Sequence, residues 1–128
     1  MTQPIARTLF AITLFAEDVP TMKAFYSNAF AMEPIFEDEH SVVFRFGENL
    51  INILMVEQAP MLVEPNAVAA PGLGARCMYT IHVEDVDAVY AEMTARGVTF
   101  LNGPQDRPWG PRTIAFADPA GNVWELAS

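Results

Sequence analysis

Along the chain, apolar residues first cluster in short runs, then recur at helical spacing, then return to short runs, and this succession occurs twice. Residues 8–16, Thr-Leu-Phe-Ala-Ile-Thr-Leu-Phe-Ala, read as a strand. Glu17-Asp18 follows, with Asp18 a suitable helix N-cap and Pro20 in the first turn, where its missing N–H costs little. Met22, Phe25, Tyr26, Ala29 and Phe30 then fall at i, i+3, i+4, i+7 and i+8, the spacing of an amphipathic helix whose aromatic-rich face belongs to the core. Residues 33–38 and 42–46 read as strands around a turn at Glu39-His40-Ser41, and Gly47-Glu48-Asn49 turns the chain into a strand over Leu50–Val56.

Between Glu57 and Ala75 alanine, proline and glycine dominate, which marks a linker. The pattern then restarts. Residues 76–83 read as a strand, and Glu84-Asp85 precedes a helix whose apolar positions Val86, Val89, Tyr90 and Met93 end at the stop residue Gly97. Val98–Leu101 reads as a strand and Asn102–Gly110 as a loop rich in helix and strand breakers. The chain closes on a hairpin around Asp118-Pro-Ala-Gly-Asn122, where proline presets φ and Gly121 and Asn122 tolerate positive φ. Strand alternation puts Trp124 and Leu126 on one face and Val123, Glu125 and Ala127 on the other.

The restart is an internal repeat. Thr13, Glu17, Asp18, Val19 and Ala24 recur 67 positions later as Thr80, Glu84, Asp85, Val86 and Ala91. Asn49–Ile53 aligns with Asn122–Leu126 at an offset of 73. Each half is therefore strand, helix and three strands. The expected fold class is α+β, two tandem βαβββ modules enclosing a cleft, with module one at about 7–57, a linker at about 58–75 and module two at about 76–127 of a single domain.

Composition narrows the function classes. With 128 residues, 52% apolar and 18% charged, the chain suits one domain with one core. The seven basic residues form no cluster and the net charge is −9, which argues against nucleic acid and anionic membranes and favours a cationic ligand. No apolar run is long enough to span a bilayer, and the N-terminus lacks a signal-peptide core. The lone Cys77 rules out an internal disulfide, in keeping with a cytoplasmic location, and reads as a small buried strand residue rather than a nucleophile.

Glu125 is the chemical oddity, a carboxylate in an otherwise apolar closing strand. On a concave face it would serve as a metal ligand, a general base or an anchor for a cationic ligand; at a rim it would simply meet water. Counting by twos along the strand over 76–83 puts Met78, Thr80 and His82 on Glu125's side, with Cys77, Tyr79, Ile81 and Val83 facing a helix. His40, in a predicted turn, is expected in solvent.

The repeat, with Ala24-Phe-Tyr26, Val83–Ala88, Ala95-Arg-Gly-Val98 and Phe116–Glu125, resembles the vicinal oxygen chelate superfamily of glyoxalases, bleomycin resistance proteins and extradiol dioxygenases, over roughly residues 7–127. In metal-using members four cavity-facing positions hold the ion, and the resemblance places them on Ala11, Asn52, Met78 and Glu125. Only Glu125 is a good ligand for a divalent ion: alanine has no donor, the Asn52 amide offers one oxygen, and a thioether is too soft for Mg, Mn or Zn. Gln105–Arg112 resembles the Pro-Trp-Gly…Arg segment of bleomycin-resistance-type members, which lines the groove there. Trp109 offers a flat face to an aromatic or cationic ligand, or packs on its own domain. Parity favours an internal pairing for Arg112 over a place in the cleft.

These features support a protein that binds or sequesters a small aromatic or cationic compound, in the manner of antibiotic-resistance members. The expected ligand-binding set is Thr13, Phe15, Asn52, Leu54, Met78, Thr80, Trp109 and Glu125. No cofactor or metal is expected, although a divalent ion is possible. The alternative is a lyase, isomerase or dioxygenase with a non-standard metal site, or metal-free acid/base chemistry with Glu125 as base and His82 as its partner. The resemblance further implies a homodimer.

Overall fold

The computed structural model describes residues 7–70, 72–74 and 77–128. Eight strands carry the fold: β1 (Ala11–Ala16), β2 (Phe36–Glu37), β3 (Ser41–Phe46), β4 (Asn49–Met55), β5 (Met78–His82), β6 (Phe100–Asp106), β7 (Arg112–Ala117) and β8 (Val123–Ala127). Helix α1 spans Val19–Ala29, the single turn α2 spans Pro60–Val63 and α3 spans Val86–Ala95. They form two four-stranded sheets, ordered β1-β4-β3-β2 and β5-β8-β7-β6. In each, the first strand lies parallel to the last and the remaining pairs are antiparallel. This is the α+β architecture of two βαβββ repeats that the period counting predicts.

Several boundaries differ from the sequence reading. Residues 8–10 precede β1; Leu9 and Phe10 are exposed, 65% and 78%. Only Phe36 and Glu37 of the expected 33–38 strand pair with β3, and Ser41, expected in the turn, starts β3 because it bonds Asp38. The linker is not featureless, since Val56–Gln58 forms a 3-10 turn ahead of α2. Arg76, expected to start β5, lies outside the described residues. The largest correction is β6: residues 102–106, expected as loop, continue the strand through two register shifts against β7.

The chain divides into two compact units. One contains β1–β4, and the other contains β5–β8 with α3 and also α1. In the first, alternation buries Leu14, Val42, Phe44, Ile51 and Ile53 on one sheet face and leaves Thr13, Phe15, Asn52 and Leu54 on the other.

In the second unit, the helix of the first repeat packs on the sheet of the second. Phe30 meets the rings of Trp124 and Phe116 at 5.2 and 5.7 Å. The Tyr26 hydroxyl, fully buried, donates to Asp118 Oδ2 at 2.6 Å and accepts from Trp124 Nε1 at 3.0 Å. Asp118 in turn accepts from the main-chain N–H groups of Ala120 and Asn122 and from the Asn122 side chain, each at 2.9 Å, so it builds the closing turn from within. The two helices are also clasped at their ends: Arg96 donates to the carbonyls of Asn28 and Ala29, both at 3.0 Å, and the Asn28 amide returns a bond to the Arg96 carbonyl at 2.9 Å. These contacts satisfy C-terminal carbonyls of α1 that the helix itself leaves open. The Asp85 carboxylate caps α3 by accepting from Ala88 N–H at 3.1 Å.

Candidate functional site

Packing both helices on one side of the second sheet leaves its other face to carry polar chemistry. There Thr80, Glu125, Ala115 and Asn102 are successive register partners across β5, β8, β7 and β6. The Thr80 hydroxyl donates to Glu125 Oε1 at 3.0 Å. Among the described residues the second carboxylate oxygen of Glu125 has no protein partner. Glu125 is half-buried and Thr80 exposed. Met78, 53% exposed, pairs in register with Val123 beside this row, and His82 lies one step further along β5 opposite Ala127. No hydrogen bond joins His82 to Glu125 among the described residues.

The first sheet repeats the motif at the internal offsets. Asn52 Nδ2 donates to Thr13 Oγ1 at 3.3 Å, on the strands equivalent to those of Thr80 and Glu125. Phe15 and Leu54 are register partners one step along, both half-buried. The expected ligand-binding residues thus fall into two groups, one per sheet, and each group is centred on a threonine bonded to the last strand's amide or carboxylate.

Three further residues of the second face, Asn102, Gln105 and Arg107, lie outside the expected ligand-binding set, although the resemblance places the segment Gln105–Arg112 along a groove. The register shifts in β6 re-aim its side chains. Phe100 pairs with Phe116 on the helix side and stacks near Tyr90 at 4.7 Å, whereas Asn102 pairs with Ala115 on the polar side. Gly103 sits at the second shift with φ 104°, and a Cβ there would come within 2.6 Å of the Thr113 carbonyl and 2.7 Å of Ile114 Cα. Arg107 Nε donates to Thr113 Oγ1 at 2.9 Å and its Nη2 to Asn102 Oδ1 at 3.2 Å, where Gln105 Nε2 also donates at 3.4 Å. The Arg107 guanidinium lies 5.8 Å from the centroid of the Trp109 ring. Trp109 is 71% exposed, so one ring face meets its own arginine and the other meets solvent.

Arg112 points away from this face. It pairs with Asp87 of α3 at 2.9 Å and with Asp106 at 3.2 Å, and the guanidinium holds the Asp87 carboxyl below its ordinary range. On the helix side, Tyr79 packs 5.0 Å from Trp124 and accepts a weak bond from the exposed Cys77 thiol at 3.7 Å. Burial and that contact push Tyr79 up to about 12.

The positions at which relatives hold a metal do not fit one here. Ala11 supplies no donor atom, the Asn52 amide is tied to Thr13, and one oxygen of Glu125 is already used by Thr80. Among the described residues no three His, Cys, Asp or Glu side chains converge. In the first unit a divalent ion would find the Asn52 amide carbonyl, and in the second one oxygen of Glu125, each short of the three or so protein ligands of a catalytic centre.

Comparison with known proteins agrees with the fold. The family model described as Glyoxalase/Bleomycin resistance protein/Dioxygenase superfamily matches residues 8–126. A Bacillus subtilis protein named "Uncharacterized protein YraH" is 29% identical over 123 residues, covering 92% of this chain and 95% of that protein. A Mycobacterium bovis protein, "Uncharacterized protein Mb0911c", is 30% identical over 80 residues, 61% of this chain, and the match spans 52% of that protein's length. The crystal structure of a glyoxalase/bleomycin resistance protein/dioxygenase from Nocardioides superposes with a TM-score of 0.85 at 22% identity, covering 99% of this chain and 84% of that one, a likeness of fold.

Proposed function

The chain belongs to the glyoxalase/bleomycin resistance protein/dioxygenase superfamily, and on that premise we propose that it binds and sequesters a small aromatic or cationic compound without a metal ion. The single observation that carries this reading is Glu125, a half-buried carboxylate with one oxygen held by Thr80 and the other free of partners among the described residues. A carboxylate held in place on one oxygen leaves the other ready to accept from an ammonium or amidinium group. Met78 and Val123 supply apolar surface beside it, and the solvent-facing side of Trp109 supplies an aromatic plane. A net charge of −9 draws cations toward the protein. We further propose that the protein works as a homodimer.

The test is calorimetric titration of the full chain with benzylamine and with benzoate, alongside elemental analysis of the purified protein. Benzylamine should bind, and Glu125→Gln should abolish that binding. The protein should carry no stoichiometric metal, and Ni, Zn or Mn should leave its thermal midpoint unmoved, because an ion bound only to the folded state must raise it. About one metal per chain, lost in Glu125→Gln, would overturn the reading in favour of a metalloenzyme. Tight binding of a glutathione conjugate, with none of benzylamine, would do the same.

A further inference from the structure

The same face carries a second charge. Arg107 is held entirely by neutral groups: Thr113 Oγ1, Asn102 Oδ1 and the Trp109 ring. Among the described residues no carboxylate lies within ion-pairing distance of it. Arg96 and Arg112, by contrast, both pair with carboxylates. Arg107 Nη1 has no protein partner among the described residues, so one edge of the guanidinium is uncommitted.

We propose that Arg107 is a second recognition residue, and that the ligand is amphoteric, with a cationic or hydrogen-bond-donating group for Glu125 and an anionic group for Arg107. The proposal rests on reading this face as the ligand site. Its geometry comes from the register. Glu125 on β8, Ala115 on β7 and Asn102 on β6 are consecutive partners, so two interstrand spacings, about 10 Å, separate the Cα atoms of Glu125 and Asn102. The residue between them is Ala115, whose methyl is the smallest side chain of the row. Arg107 bonds Asn102 on β6 and Thr113 on β7, so its charge lies on the β6–β7 side of the face that Glu125 shares from β8.

A ligand carrying cations alone would meet the guanidinium as it crossed the row, and one carrying anions alone would meet Glu125. A compound with opposite charges at its two ends satisfies both. The bonds to Thr113 and Asn102 fix the guanidinium before binding, so little side-chain freedom is lost when an anion docks. Trp109, stacked on Arg107, acts here as a positioning residue.

The experiment adds 4-(aminomethyl)benzoate, which carries an ammonium and a carboxylate across one ring, to the benzylamine and benzoate titrations. The wild-type chain should bind it at least about tenfold more tightly than benzylamine. Arg107→Gln, whose amide removes the positive charge, should erase that difference, so that 4-(aminomethyl)benzoate and benzylamine bind the variant equally. Glu125→Gln should bring 4-(aminomethyl)benzoate down to the benzoate affinity, and each variant's thermal midpoint checks folding. Equal affinity for 4-(aminomethyl)benzoate and benzylamine, both lost in Glu125→Gln, would overturn the role of Arg107 while the binding function stands. Binding of benzoate alone would overturn the amphoteric ligand, and binding of none of the three would overturn the binding function together with it.

Discussion

At the residue scale, the site depends on one glycine. Gly103 lies at the second register shift of β6, beyond Asn102, and that shift sets up the approach of Gln105 and the chain leading to Arg107. Any Cβ at this position meets the backbone of β7, which cannot swing aside as the end of a side chain can, and φ of 104° is strained for every L residue. Gly103→Ala should therefore destabilise the fold by about 2 kcal/mol or more, read as a lower denaturation midpoint in urea. A variant as stable as wild type would show that β6 relaxes around the substitution. The same residue explains what the sequence concealed. Gly103, Pro104, Pro108 and Gly110 are punctuation marks to a pattern reader, and a strand bent by bulges has no period-two signature to set against them. Glu125, Thr80 and Met78 were placed on one face by simple alternation because β5 and β8 are regular. Period counting does not reach Asn102 and Gln105 because β6 is not, and Gln105 and Arg107 enter only through the resemblance of Gln105–Arg112 to a groove-lining segment.

At the element scale, α1 is legible as a helix with an apolar face, yet its periodicity does not say which sheet that face covers. The answer lies in polar groups: Tyr26 bonded to Asp118 and Trp124, and Arg96 on the carbonyls of Asn28 and Ala29. Tyr26→Phe removes a hydroxyl that donates to Asp118 and accepts from Trp124, and should cost about 1–3 kcal/mol. Arg96→Ala should cost a similar amount, about 1–3 kcal/mol, by opening the end of α1, whereas Arg96→Lys should recover part of it. Equilibrium unfolding measures all three. The tyrosines also set an alkaline limit. Burial, and then the neighbouring Asp118 charge, raise the Tyr26 pKa far above its ordinary 10.0, and Tyr79 is pushed up to about 12. Both groups are raised in the folded state, so their contribution is fully present below the unfolded value near 10 and is lost as pH climbs beyond it. Stability should be flat from pH 8 to 9.5 and fall above 10, less steeply in Tyr26→Phe. An unchanged slope in that variant would remove Tyr26 from the account.

At the scale of the whole molecule, charge and apolar exposure pull in different directions. A net charge of −9 on 128 residues favours separate, soluble chains. Against it stand large apolar side chains in water: Phe10 at 78%, Leu73 at 74%, Met61 at 67%, Leu9 and Leu62 at 65%, and Phe36 at 54%. Single exposed apolar residues are ordinary, but Leu9 and Phe10 are neighbours in sequence, as are Met61 and Leu62, and such surface calls for a cover. The outer strands are β1 and β2 in one sheet and β5 and β6 in the other, with six, two, five and seven residues, and β6 is broken by two register shifts. A second copy is the simplest cover, because a two-fold axis uses each patch twice. Light scattering on the eluting protein should then give twice 14.1 kDa, about 28 kDa, at micromolar concentration. Raised salt should strengthen the association by screening repulsion between two acidic chains. Phe10→Glu, which adds charge to the most exposed of these side chains, should shift the population toward the single chain without lowering its helix content. A mass that stays near 14.1 kDa at all concentrations and salt levels would mean that these apolar residues meet something other than a second copy.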